Sequence, residues 1–322
     1  MGSLISPGNK GVAGLGWARH GGAGRGMARQ GDSNLRRQMR QPTPTTSNYL
    51  SKFKVPKQIM ARIESHVVNM EAKVVTVDLN KKGLENVEII HITDLQFGSK
   101  LFKTERFLEY NDWILSVPNR FVILGGDIID AATVMSVGSP YENEFQPSEQ
   151  ALKARDLLGP LQPRILGYVG GNHERRTVKT FGDSGHLLAS LLEIPYSCGE
   201  QHYDIHFGFH RPFKITAWHG VGTARTKGAR ALMLHRAMQK GDSQLYLVGH
   251  LHDCIVLYDW RQTRHTVAGK TEIGSKKIAG VMSSSFQGYW GGYAEIAGLP
   301  MSDTMMGRCI LDSAGGWEIT LK

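Results

Sequence analysis

Nine side chains able to bind a cation or move a proton stand at the ends of apolar runs. "VEIIHIT" runs into Asp94, and Gln96 follows two residues on. "RFVILGG" runs into Asp127, with Asp130 three further. "RILGYVGG" leads to Asn172 and His173, "FKITAW" to His219, and "QLYLVG" to His250 and His252. Carboxylate, amide and imidazole donors together suit divalent ions of the Mn, Fe, Zn or Ni type. So many donors exceed what one ion needs. Two ions roughly 3.5–4 Å apart, sharing a carboxylate, would use them all. Each residue alone has an ordinary reading. Asp94 could be a turn or cap residue, Asn172 an αL turn residue after two glycines, and His250 a satisfied core histidine. Five separate runs ending in ligand-type residues make coincidence a poor account of the set.

The elements that must position these residues alternate in type. "KVVTVDL" and "VEIIHIT" read as strands flanking the turn "NKKG". "TERFLEYNDWILS" reads as a helix capped by Thr104, and "RFVILGG" as a strand. A helix runs from Ser148 to a stop at Gly159, with Pro160 behind it. "RILGYVGG" is a strand, "GHLLASLLE" a helix, "FKITAWHG" a strand, "GARALMLHRAMQKG" a helix and "QLYLVGHLH" a strand. Strands and loops fill residues 268–322. Upstream, Ile59, Ile63, Val67 and Met70 recur at helical spacing behind Pro56, which predicts a first helix. Strands alternating with helices imply an α/β fold, and in such folds the carboxyl ends of the strands share one crevice.

In blocks, order and gaps the chain resembles the calcineurin-like metallophosphoesterase superfamily. The matching blocks are "TDLQ", "GGDIID", "GNHE", "WHG" and "GHLH", spread over residues 87–255. The resemblance implies a four-layer αββα sandwich, two mixed β-sheets flanked by helices, with a dinuclear metal centre at the strand ends. It implies Asp94, Gln96, Asp127 and His252 around one metal, with Asp127 bridging to a second that Asn172, His219 and His250 complete. Manganese is the first expectation, with Fe, Zn, Ni or Mg as alternatives. His173 would face the scissile phosphate, held by Asp130, and hydroxide shared by the two metals would attack phosphorus. The departure is Gln96, where the family has histidine. Glutamine offers a weaker carbonyl ligand, so the first metal would bind loosely, or Gln96 would contact substrate, or the centre would be degenerate. "GGDIIDAA" lacks the Arg-Gly of the protein Ser/Thr phosphatase branch, which points to a phosphodiester or nucleotide substrate. Arg175 and Arg225 are candidate phosphate clamps. Residues 131–149 form a candidate lid. Phe286, Tyr289, Trp290 and Tyr293 lie among glycines, where core packing is expected over base stacking.

The expected domains are a disordered basic tail, 1–45, and a metallophosphoesterase domain, 46–322. The tail holds seven basic residues and one acid, so +6 of the net +9 sits there. The high charge is therefore no general sign of nucleic-acid binding, although a basic arm could touch a phosphate backbone. A non-catalytic scaffold and a nucleic-acid-binding protein remain the alternatives to an enzyme. Hydrophobic residues are 41% of the chain, ordinary for a folded core, and no apolar run is long enough to span a membrane. Three cysteines, odd in number and widely spaced, Cys198, Cys254 and Cys309, and the lack of a visible signal segment fit a reduced, cytoplasmic protein.

Overall fold

The computed structural model describes residues 62–322, apart from 69–70, 81–82, 135, 137–139, 181, 209–210 and 268. The basic tail, 1–45, and the first part of the helix expected behind Pro56 lie outside the described residues. Among the described residues thirteen strands form two sheets. In chain order they are β1 (Arg62–Val68), β2 (Glu71–Asp78), β3 (Asn86–Ile92), β4 (Arg120–Leu124), β5 (Ile165–Val169), β6 (Tyr196–Ser197) and β7 (Gln201–His206). They continue as β8 (Phe213–Trp218), β9 (Leu245–Val248), β10 (Ile255–Val267), β11 (Lys270–Met282), β12 (Gly307–Asp312) and β13 (Trp317–Leu321). The helices are α1 (Thr104–Leu115), α2 (Pro147–Leu158), α3 (Asn172–Arg175), α4 (Ser184–Leu192), α5 (Lys227–Met238) and α6 (Tyr293–Ile296).

The seven-stranded sheet has the order β1-β2-β7-β8-β9-β11-β10, and the six-stranded sheet the order β13-β12-β3-β4-β5-β6. Both mix parallel and antiparallel pairs. Successive side chains on a strand face opposite ways, and the buried residues follow that rule. Ile89, Ile123, Ile215, Leu247 and Val281 fill the space between the sheets. Ile90, Val122 and Tyr168 meet α1, α2 and α4 through Phe107, Ala154 and Leu188. On the far side Tyr246, Ile278 and Met282 pack on Leu234 and Met238 of α5. The result is the four-layer α/β/β/α sandwich.

Three sequence expectations change. The helix expected over Ile63 and Val67 is strand β1, paired antiparallel to β2. Helical spacing in a short run rich in β-branched residues yields to pairing along an available strand. β2 and β3, the strands on either side of "NKKG", are not neighbours but lie in different sheets. Thr104 is the first residue of α1, not its cap; Lys103 holds that position without a side-chain capping bond. By contrast Asp183 does cap α4, accepting from Gly185 N–H at 2.9 Å and His186 N–H at 3.2 Å. Cys254 and Cys309 are free thiols, and no helix of the described residues is long and apolar enough to cross a membrane.

One buried charge joins three strands of the six-stranded sheet. Glu88 on β3 accepts from Arg120 Nε on β4 at 2.8 Å and from Arg308 Nε on β12 at 2.7 Å. Burial alone would raise the Glu88 pKa; the two guanidinium groups outweigh it and hold the carboxyl below its ordinary range. A carboxyl depressed in the folded state adds stability above the ordinary glutamate range and loses it as pH falls through the lowered value. Glu88→Gln should therefore lower unfolding free energy at neutral pH by about 2 kcal/mol. Urea midpoints should converge with those of the unsubstituted protein as the solution is acidified, and a constant gap down to strong acid would disprove this role.

Candidate metal centre

The strand ends deliver their polar residues through turns that ordinary residues avoid. Asp94, Gln96, Asp127, His250 and His252 have φ of 52°, 49°, 50°, 68° and 48°. Left-handed backbone costs an L-residue about 1–2 kcal/mol, and such strain persists only where surrounding bonds over-determine it. Here Asp94 N–H donates to Gly126 O at 2.9 Å and Gln96 N–H to Asp127 O at 2.8 Å. His250 N–H donates to Asp94 Oδ2 at 2.9 Å. Two glycines admit the close approach: a Cβ at Gly171 would lie 2.0 Å from Asp127 Oδ1, and one at Gly249 would lie 2.6 Å from Asp94 Oδ2.

Asp127 is the middle of the cluster. Its Oδ2 lies 3.2 Å from His219 Nε2 and 3.5 Å from His173 Nε2, and its Oδ1 accepts His173 N–H at 2.8 Å. Asn172 Oδ1 is 3.1 Å from the same His219 nitrogen. Asp127, His219 and His250 each offer one ligand atom, and these atoms lie within 4.8 Å of one another. The ring tautomers suit cation binding. His219 Nδ1 donates to Gly125 O at 2.8 Å, which turns Nε2 toward Asp127. His250 Nε2 donates to Gly222 O at 2.8 Å, leaving Nδ1. Backbone carbonyls that orient a ring in this way are usual behind metal-binding histidines.

Beside this group stands a second. His252 Nε2 lies 3.1 Å from Asp94 Oδ1 and 3.2 Å from the Gln96 side-chain amide. The structure therefore draws Asp94, Gln96 and His252 together next to Asp127, Asn172, His219 and His250. A carboxylate, a carbonyl-bearing amide and imidazoles with free nitrogens form a donor set that fits divalent cations.

The charges are mutually tuned. Burial would raise the Asp127 pKa, yet the His173 and His219 rings hold it far below the carboxylate range. His219 shows the converse: burial favours the neutral ring, and Asp127 overrides it, lifting the pKa to about 10. Burial and the neighbouring His219 push His250 down. One step beneath, His91 is buried on β3 with Nδ1 2.9 Å from Ser283 Oγ, and burial lowers its pKa to about 3, so it stays neutral.

His173 carries the proton-transfer geometry. Its Nδ1 lies 3.0 Å from Asp130 Oδ1 and 2.9 Å from the Asp130 carbonyl. Burial lowers its pKa, but Asp127 and Asp130 outweigh that and raise it. Of the two arginines after "GNHE", Arg176 is the one at the site. Its Nη2 is 2.8 Å from His173 Nε2 and its Nη1 is 3.1 Å from the Asp130 carbonyl. Arg175 is exposed, and among the described residues no bond ties it to the cluster. Arg225 is exposed and donates to Ala297 O at 3.0 Å, away from the cluster. Within 131–149, Glu144 N–H donates to Gly98 O at 2.8 Å, fastening that part of the candidate lid to the Gln96 turn. The aromatic segment divides: Phe286 is buried against Phe107 and Tyr110, whereas Trp290 and Tyr293 are exposed. Chain past Gly288 runs over the surface, so proximity in sequence did not give the four rings one fate.

Sequence reasoning passed over Glu174. Its buried carboxylate accepts from the N–H groups of Gly171 at 2.9 Å, Asp127 at 3.1 Å and Ile128 at 2.6 Å, and from Tyr168 OH at 2.6 Å. Burial and the nearby Asp127 raise its pKa, against the pull of the Tyr168 hydroxyl bond. Asp253 was also missed. It sits between His252 and Cys254, and Arg230 Nη1 on α5 bonds it at 3.1 Å, which anchors the turn carrying His250 and His252.

No family model matches the chain, and no curated protein matches it. Solved structures similar to it include the NAD nucleotidase NadN of Haemophilus influenzae, 13% identical, with a TM-score of 0.37 over 73% of this chain and 49% of that one. A second is the calcineurin-like phosphoesterase YfkN of Bacillus subtilis, 11% identical, TM-score 0.39, over 74% of this chain and 90% of that one. The nuclease MPE of Pseudomonas putida is 13% identical, TM-score 0.31, over 73% and 87%. The chain thus spans about half the length of NadN.

Glu174→Gln keeps the shape and removes the charge that gathers the Asp127 turn. Outer-shell changes of this kind cost about 10–100-fold in metal affinity. Calorimetric titration with Mn should show a loss in that range in a variant that circular dichroism shows to be folded. Undiminished affinity would show that the clamp has no part in the site.

Proposed function

We propose that this protein is a metal-dependent phosphoesterase that prefers phosphodiester or nucleotide substrates. The observation that carries the reading is the convergence of Asp127, His219 and His250, with ligand atoms mutually within 4.8 Å, beside a histidine braced by its own carboxylate. Asp94, Gln96, Asp127 and His252 would hold one divalent cation, and Asp127, Asn172, His219 and His250 another, manganese being first choice. Such ions supply charge to the phosphate oxygens and a nucleophile at neutral pH.

The chain's own residues supply the rest. Asp130 fixes the His173 ring at 3.0 Å and leaves Nε2 turned toward Asp127. Against the lowering effect of burial, Asp127 and Asp130 raise the His173 pKa, and His173 would be the group that passes a proton to the leaving oxygen. Arg176, rather than Arg175, is placed to bind a non-bridging phosphate oxygen, since its guanidinium already lies against that nitrogen. Exclusion of water from the floor follows from Asp94 and Asp127 being 0% and 1% exposed, which strengthens their electrostatic effect. The absence of Arg-Gly after Asp130 supports the diester preference over phosphoprotein.

The test is hydrolysis of a nitrophenyl phosphodiester with Mn, Fe, Zn, Ni or Mg. His173→Ala should reduce kcat by about 10²–10⁴-fold with bound metal retained. Asp127→Asn should remove both metal and activity. No turnover with any of the ions, together with no metal in elemental analysis, would end the proposal.

A second reading, a non-catalytic scaffold, draws on Gln96, whose amide faces His252 Nε2 at 3.2 Å where a ring would bind more firmly. Gln96→His should then raise the number of Mn equivalents taken up and create turnover where the unsubstituted chain has none. Measurable turnover in the unsubstituted chain excludes the scaffold.

A further inference from the structure

We infer that the β10–β11 hairpin is a docking arm for duplex DNA, separate from the metal centre. β10 and β11 pair along their whole length, Ile255–Val267 against Lys270–Met282, yet β9 pairs only with Ala279–Met282. Lys270–Ile278 therefore run past the end of β9. At about 3.3 Å per residue this overhang reaches roughly 30 Å. β9 is parallel to β11, and the metal-centre histidines His250 and His252 follow its carboxyl end. The arm therefore leaves from the opposite end of the sheet.

Its root is braced and its outer part is bare. Arg261 donates to the Met238 and Gly241 carbonyls at the end of α5, and Lys276 to the Asp242 carbonyl. Farther out, Arg264, Lys270 and Ile273 are exposed; at the root, next to the Arg261–Lys276 pair, Trp260 is 65% exposed. The hairpin carries five cations, Arg261, Arg264, Lys270, Lys276 and Lys277, against two acids, Asp259 and Glu272. Both acids already face histidines, Asp259 beside His235 at 3.5 Å and Glu272 beside His265 at 3.5 Å.

The cations lie on both faces. Arg211, Arg261, Arg264 and Lys276 line a cavity of about 450 Å³. Its one carboxylate, Asp242, is bonded to Lys214 at 2.6 Å. On the other face Lys277 lies over the rings of Tyr258 at 4.6 Å and of Trp317 on β13 at 4.7 Å, and its cross-strand partner is Trp260. A two-stranded ribbon fits the major groove of B-DNA, about 12 Å wide, where phosphates run along both sides. Cations on both faces, interleaved with an exposed aromatic, match that environment. The major groove of duplex RNA is too deep and narrow to admit such an arm, so the inference commits to DNA.

The full chain is titrated against fluorescent duplex DNA, and against RNA of the same sequence, with EDTA present, so that binding is read apart from hydrolysis. Failure of the phosphoesterase reading would leave this result untouched. Arg264→Glu, Lys270→Glu and Lys277→Glu together should weaken DNA binding at least about tenfold near physiological salt. They should also lower the log–log salt slope by about 3. The basic N-terminal residues are present in both proteins, so the difference isolates the arm. Circular dichroism checks the variant's fold. In the unsubstituted chain, DNA should protect Lys270, Lys276 and Lys277 from acetylation. Unchanged affinity in a folded variant, absent protection, or equally tight RNA binding with the same loss would overturn the inference. Lysine protection that rises with protein concentration alone would give the arm to a second copy and overturn it too.

Discussion

The centre depends on keeping a buried carboxylate, Asp127, in one place although nearly everything about its position is unfavourable. It is 1% exposed, its backbone is left-handed, and it stands beside a second buried acid, Asp94. Isolated, such a group would take up a proton or turn to solvent. Glu174 prevents the second outcome by gathering the N–H groups of Asp127 and Ile128 with that of Gly171. The imidazoles of His173 and His219 prevent the first. The turns after β4 and β5 are thus one hydrogen-bonded unit, although more than 40 residues separate them in the chain.

Glu174 is itself a buried charge, and its cost is met in the same way. Five donors fill its lone pairs, one of them the Tyr168 hydroxyl rising from β5. Removing any donor would leave charge without a partner where water cannot reach, the situation in which buried polar groups are most costly. The glycines belong to the same constraint. Gly171 and Gly249 leave no room for a methyl group because carboxylate oxygens occupy that space. Strain, tight approach and complete hydrogen bonding are different aspects of packing many polar groups at the ends of hydrophobic strands.

The two ends of the seven-stranded sheet carry opposite electrostatic problems. At the carboxyl end, acids are concentrated and balanced by imidazoles. At the other end, arginines and lysines gather around the hairpin root with few acids to match them. The α5 carbonyls answer part of this by binding Arg261, in keeping with the negative end of a helix. Cations farther out along the ribbon have solvent or a ligand as their counterpart.

Much of the architecture was legible because burial on both faces leaves a plain record. Runs such as "RFVIL" and "QLYLV" can hardly be anything but interior strands, and a polar residue at the end of each run marks the shared edge. Chain order and type alone therefore determined the strand-helix alternation and named the residues around Asp127. What the sequence left undecided were matters of partner and direction. Whether Ile63 and Val67 sit on a helix or a strand depended on β2 lying alongside, and whether "NKKG" closes a hairpin depended on which sheet β3 joined. Arg175 and Arg176 are adjacent and chemically identical; only the direction of a single helical turn chose Arg176 to meet His173. Glu174 acquired its role through the N–H groups of β4's turn, and the hairpin's projection through the shortness of β9. Such contacts join distant segments, and local pattern cannot encode them because the energies that select them arise only once the layers have packed.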